Sequence, residues 1–162
     1  METAGRVVYL AGRRRQMTMT HAEIEAALQQ LLRPEAFPFD APTDADWQAL
    51  ESRYGCHFGD DFKAFIALMS KYQFPGDILN VSSGRTNGND SISVAYEHEL
   101  QAAGWDVAMI PFYGIGNGDY FCLSSLECPN SRVFYYSAET QAFEPYCDSF
   151  EQWLQRLPEF LA

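Results

Sequence analysis

A chain of 162 residues, 47% hydrophobic and 15% aromatic, is long enough to bury one substantial core and too apolar to remain disordered. Eleven basic against twenty-two acidic residues give a formal charge of −11, which argues against binding to nucleic-acid backbones or anionic membrane surfaces and favours basic partners through long-range steering. The charge is uneven: residues 1–20 carry four arginines against one glutamate, leaving seven basic and twenty-one acidic residues in the remainder.

Val7-Val8-Tyr9-Leu10-Ala11 is too short for a signal-peptide core, and Arg13, Arg14 and Arg15 follow it rather than precede it. No apolar run elsewhere is long enough to span a membrane. Residues 1–19 therefore read as a flexible N-terminal extension, with Met17 or Met19 as an alternative start. Residues 20–162 read as one domain, and cytoplasmic residence is the default. Thr20-x-x-Glu23 is a capping box opening a first helix with Ile24, Ala27, Leu28 and Leu31 on one face, ended by Pro34. After a Pro38/Pro42 linker, Thr43-x-x-Asp46 opens a second helix with Trp47, Leu50 and Tyr54 on its buried side and Gly55 as its stop. A third starts at Gly59 or Asp60 and buries Phe62, Phe65, Ile66 and Met69.

Turn residues from Gly76 to Asp90 surround a short predicted strand at 78–81. From Ser91 to Ala103, Ile92, Val94 and Tyr96 alternate like a strand, whereas Ile92, Tyr96, Leu100 and Ala103 fit a helix stopped by Gly104; the helix is the better reading. Strands follow at 107–113, 120–124, 132–137 and 143–146, the first two joined by Gly114-Ile115-Gly116-Asn117-Gly118-Asp119, whose Asn-Gly pair is a hairpin signal. Ser149-x-x-Gln152 caps a last helix that buries Phe150, Trp153, Leu154 and Leu157; Pro158 should end it, leaving Phe160 and Leu161 as a packed tail. The expected fold class is α+β: an antiparallel-rich sheet with helices packed to one side.

Catalytic motifs are missing where they would be expected. The glycines are spaced G-x-G-x-G and lead into a strand, not a helix, so they form a turn rather than a phosphate cradle, and Asp119 would repel a phosphate. His98-Glu99 begins like a zinc-protease helix, but Ala102 stands where the second histidine belongs; His98 is an exposed helix residue. Cys56, Cys122, Cys128 and Cys147 contain no C-x-x-C pair and read as small apolar residues. Cys56-His57 with one of the other three cysteines is the arrangement that comes nearest to a zinc site, without the paired chelating turns such sites use. Asp60-Asp61, Glu23/Glu25 and Glu97/Glu99 are helix-cap or solvated acids rather than an acid–base pair. Asn80-Val81-Ser82 and Asn89-Asp90-Ser91 match the glycosylation pattern by chance, given no secretion signal. Tyr113, Tyr120, Phe121, Tyr135 and Tyr136 are core or interface aromatics, because a base-stacking platform needs basic surroundings.

Trp47…Tyr54-Gly55, the helix with Asp61, Phe62, Phe65 and Ile66, the Pro111-to-Leu123 hairpin, the strand at 133–136 and Ser149-Phe150-x-x-Trp153-Leu154 occur in an order that resembles the SUKH superfamily. That superfamily contains yeast cell-wall assembly regulators and many bacterial immunity proteins. Met69-Ser70-Lys71-Tyr72 departs from it where many relatives carry an asparagine-glycine turn. The resemblance implies a protein that binds without catalysis or cofactor and neutralises a basic toxin domain, such as a nuclease. A regulatory interaction scaffold is the alternative, with a small hydrolase or metal enzyme behind it. Acids beside the sheet turns, Asp106, Asp119, Glu127, Glu139 and Glu144, are the candidate contact group for a basic partner.

Overall fold

The computed structural model describes residues 20–38, 40–79, 81 and 91–162. The N-terminal extension, most of the predicted 80–90 turn region, Asn80 and Asn89 lie outside them. The elements run α1 (His21–Leu31), β1 (Arg33–Pro34), α2 (Asp44–Tyr54), α3 (Asp60–Met69), β2 (Tyr72–Gln73), β3 (Asp77–Ile78), α4 (Ile92–Leu100), β4 (Met109–Gly114), β5 (Tyr120–Ser124), β6 (Val133–Ser137), β7 (Ala142–Cys147) and α5 (Phe150–Leu161).

Local chemistry fixes the helix starts. Thr20 and Thr43 each accept a hydrogen bond from the backbone of the residue three positions on, and that residue's carboxylate accepts one from the threonine backbone, so both capping boxes form as read. Ser91 and Ser149 cap α4 and α5. Gly55, at φ 64°, terminates α2 in the left-handed region where a Cβ is penalised.

Strands β3 to β7 form one antiparallel meander in chain order, and β1–β2 form a separate small ribbon. Gly116 and Gly118, at φ 93° and 92°, make the β4–β5 turn. Register shifts between Pro111 and Tyr113, so Phe112 and Tyr113 are both fully buried rather than alternating. Across one face, α5 lays Phe150, Trp153, Leu154 and Leu157 against Phe112 and Phe121, with α3 behind it through Phe62 and Phe65. Each such side chain contributes roughly 1.5–3 kcal/mol of transfer free energy. Trp47 and Trp153 are buried, as their helical faces require. The other face carries a second cluster in which Trp105 packs on Tyr120, Tyr136 and Phe143, its indole N–H donating to the Met109 carbonyl at 3.1 Å.

Four details differ from the sequence reading. Helix α5 continues through Pro158. The proline removes one backbone donor, but the helical tail keeps Leu157 in the core and brings Phe160 within 5.7 Å of Phe121 and 6.2 Å of Tyr113, ring to ring, which offsets that loss. Strand β4 begins at Met109 rather than Val107, because Asp106 closes a turn: its carbonyl accepts from Met109 N–H and its carboxylate from Ala108 N–H, both at 2.9 Å. The predicted 78–81 strand appears as Asp77–Ile78, extended by a Leu79 N–H bond to the Phe112 carbonyl. The β1–β2 ribbon was invisible in sequence, since two-residue strands carry no periodicity.

Candidate partner-binding surface

The meander separates the five candidate acids. Asp119 precedes β5 and Glu139 sits in the β6–β7 turn, at one end of the sheet; Asp106 and Glu127 lie at the other, and Glu144 is exposed on the edge strand β7 opposite Tyr135. Three of the five are engaged within the fold: Asp119, Glu127 and, through its bond from Ala108 N–H at 2.9 Å, Asp106. Asp119 accepts from the Tyr135 hydroxyl at 2.5 Å, from Ala138 N–H at 2.8 Å and from the Asn117 amide at 3.1 Å, tying the β4–β5 turn to the β6–β7 turn. The Tyr135 bond, with the Ala138 N–H, holds its carboxyl below the usual aspartate range. Glu127 grips Arg132 through its guanidinium and its backbone N–H, and that bond likewise lowers the glutamate. Asp106, Glu139 and Glu144 are exposed.

Around Asp106 the structure adds a feature that charge alone did not reveal. Val107 is 70% exposed and Leu126 85% exposed, among the most solvent-facing large apolar residues described. Ser125 N–H donates to the Ala108 carbonyl at 2.8 Å, prolonging the β4–β5 pairing beyond Met109–Ser124 and setting the two loops side by side. Both loops are pinned: the Tyr96 hydroxyl donates to the Val107 carbonyl at 2.7 Å, Leu126 N–H donates to the Ser124 hydroxyl at 3.3 Å, and the Ser131 hydroxyl accepts from Ser124 N–H at 2.8 Å. Two apolar side chains therefore stand in water on backbone that is already ordered, so a partner covering them pays little loop entropy. The sequence places Val107 in a strand, and its one signal for Leu126 is a lone leucine inside the polar run Ser124-Ser125-Leu126-Glu127.

Two hollows flank the sheet and helices. One, about 440 Å³, lies beside the glycine turn and is lined by Asp77, Leu79, Val94, His98 and Asp119, with no lysine or arginine among the described residues. Its neighbour Glu99 accepts from the Tyr120 hydroxyl at 3.0 Å; burial and then that carboxylate push the phenol up. The other, about 570 Å³, has Ile24, Phe65 and Leu154 along it and Glu25, paired with Lys71 at 3.5 Å, on its rim. His98 is exposed, Cys122 and Cys147 are buried as apolar residues, and among the described residues no three His, Cys, Asp or Glu side chains converge on a point that could hold a metal. None of the described helices is long and apolar enough to cross a membrane.

A meander backed by a capped C-terminal helix, with the aromatic core between them, is an α+β fold with an antiparallel sheet, the class expected from the strand pattern. The family model described as SMI1-KNR4 cell-wall, SUKH_5, matches residues 21–160. The chain belongs to this SUKH family. Among solved structures, this SUKH chain is similar to a protein from Pseudomonas syringae pv. tomato, with a TM-score of 0.60 and 15% identity over 83% of this chain and 95% of that one; at that identity the likeness is one of fold. No curated protein matches the chain significantly.

Proposed function

We infer that this SUKH protein is a non-catalytic binding protein, an immunity protein that neutralises a basic toxin domain by direct contact. The observation that carries the reading is the exposed Val107–Leu126 pair on pinned loops beside Asp106, in a chain with a twofold excess of acidic residues. Apolar anchors supply the affinity of a protein interface, while the acidic field speeds encounter with a basic partner. Glu139 and Glu144, both exposed, are the acids of the five that a partner reaches at least cost, since Asp106, Asp119 and Glu127 each accept hydrogen bonds within the fold.

The test is co-expression with a candidate basic toxin domain, sought first among the genes next to this one. The unmodified chain should protect cells and bind the toxin, with association slowing as salt screens the field over about 8–10 Å. A Val107→Ser/Leu126→Ser double variant should melt like the unmodified protein and bind at least tenfold more weakly. A folded double variant that binds as tightly moves the interface elsewhere. If the unmodified chain neither binds nor protects, that pairing is wrong. The description SMI1-KNR4 cell-wall favours a second reading, a regulatory scaffold. It predicts stable capture of an endogenous basic protein and no protection.

A further inference from the structure

We propose that Asn117–Gly118 is a modification site at which the chain modifies itself: the Gly118 nitrogen displaces ammonia from the Asn117 side chain, and the isoaspartate that forms releases the Asp119 clamp between the β4–β5 and β6–β7 turns. The pair sits at the tip of the β4–β5 turn, and both residues are exposed to water. Gly118 presents the attacking nitrogen without a Cβ to shield it. Among the described residues no acceptor takes the Gly118 N–H, so no hydrogen bond has to be given up before that nitrogen reacts.

The Asn117 side chain, in contrast, is held. Its Oδ1 accepts from Asp119 N–H at 3.0 Å, an Asx turn that folds the side-chain carbonyl back along its own backbone, and its Nδ2 donates to Asp119 Oδ2 at 3.1 Å. The first bond keeps the amide carbon beside the next residue's nitrogen and draws electron density from the carbonyl under attack. Asn130, the other asparagine among the described residues, lacks these features. It is exposed, but Ser131 follows it, carries a Cβ and is 2% exposed. The Ser131 hydroxyl donates to the Arg132 carbonyl at 2.6 Å and accepts from Ser124 N–H at 2.8 Å, which locks that junction.

Atoms balance in two steps. Hydroxide removes the Gly118 N–H proton, the nitrogen lone pair bonds to the Asn117 side-chain carbonyl carbon, the bond from that carbon to Nδ2 breaks, and ammonia leaves with a proton returned by water. The product is a succinimide. Water then adds to one of its carbonyls: opening at the backbone carbonyl gives isoaspartate, and opening at the side-chain carbonyl gives aspartate. One water is consumed, one ammonia is released, and nothing is oxidised or reduced. Either product replaces the Nδ2 donor with a carboxylate facing that of Asp119, and isoaspartate also lengthens the backbone by a methylene. Asp119 has little room to absorb the shift, because the same carboxylate reaches the Tyr135 hydroxyl at 2.5 Å and Ala138 N–H at 2.8 Å. The inference is independent of which partner the protein binds.

The test incubates the folded full-length protein at pH 7.5 and 8.5 until a sample unfolded in urea has been converted. Cleavage after glutamate then isolates residues 100–127, in which Asn117 is the only asparagine. That peptide should gain the mass of an amide-to-acid change, faster at the higher pH, and become a substrate for a protein isoaspartate methyltransferase, while Asn130 remains asparagine. Asn117→Gln should abolish the change, because the longer side chain closes its ring poorly. Protein modified at Asn117 alone, separated by anion exchange, should melt roughly 2–10 °C lower. The proposal is overturned if the peptide from the folded protein stays unmodified, if Asn130 is converted first, if Asn117→Gln leaves the mass change in place, or if the modified protein melts like the original.

Discussion

Replacing Glu51 by glutamine removes one negative charge from the junction that holds α2, the 55–59 turn and α3 together. The Glu51 side chain is only 12% exposed, and its carboxylate meets Lys63 at 2.8 Å, Phe58 N–H at 2.9 Å and His57 Nδ1 at 3.2 Å. Burial pushes its carboxyl up, but Lys63, then the Phe58 N–H and His57, outweigh burial and bring it down to about 2 from an ordinary 4.5. At about 1.4 kcal/mol per unit that difference has a ceiling of roughly 3.4 kcal/mol, and since glutamine keeps an acceptor for Phe58, the expected loss at pH 7 is about 2–3 kcal/mol. The sign follows from linkage. The folded-state pKa lies below the unfolded one, so the stabilisation is fully present above pH 4.5 and is lost as pH falls from 4.5 towards 2. Urea unfolding of the natural chain and Glu51→Gln across pH 7 to 2 isolates this contribution, because acids elsewhere titrate in both proteins and cancel. A gap below about 0.5 kcal/mol at pH 7, or one that persists unchanged at pH 2, would refute the account of this junction.

Trp153→Ala should cost about 3–5 kcal/mol in urea unfolding, because the indole meets Phe65, Phe112, Tyr113 and Phe121 in the core; a loss below 1 kcal/mol would mean α5 is not the core's lid. Tyr135→Phe should cost about 1–2 kcal/mol and return the Asp119 carboxyl towards its ordinary range, as read by carboxyl titration in NMR; an unmoved Asp119 would contradict the hydroxyl bond as its main perturbation. Pro158→Ala should stabilise the protein by about 1 kcal/mol or more by restoring a donor to the Leu154 carbonyl, and a thermal melt that falls instead would show that the ring's packing matters more than the bond. Full-length protein and a chain starting at Met17 should melt alike, and a loss above about 2 kcal/mol would show that the arginine-rich segment packs on the domain.

Helix starts were legible because a cap is local: Thr20, Thr43 and Ser149 each need a partner only three residues away, and each caps its helix, as Ser91 also does for α4. The Asn-Gly hairpin and the apolar faces of α3 and α5 were legible for the same reason, whereas on α1 Ile24 and Leu28 are buried and Leu31 is exposed. Pro158 misled because its local cost was visible, whereas the contacts that offset it, Phe160 with Tyr113 and Phe121, span more than thirty residues. The contact group suffered the same limit. Sequence placed five acids near turns but could not show that Tyr135 and Arg132 occupy two of them, nor that Ser125 and Ala108 carry Leu126 alongside Val107.

That division bears on how such a surface could keep its fold while its partner changes. Asp119 and Glu127 stabilise turns, so altering them would perturb the scaffold together with any interface. Val107, Leu126, Glu139 and Glu144 are exposed, and the turn under Val107 is held by backbone groups, the Asp106 carboxylate and the Tyr96 hydroxyl rather than by the side chains in water. Residues whose side chains do no folding work can be exchanged at little cost in stability, which is what a domain needs if it is to meet different partners on one framework. Leu126 is therefore the sharper probe of function than any of the engaged acids. Its replacement should leave the melt unchanged within about 0.5 kcal/mol. Any loss of binding it causes then reports contact directly.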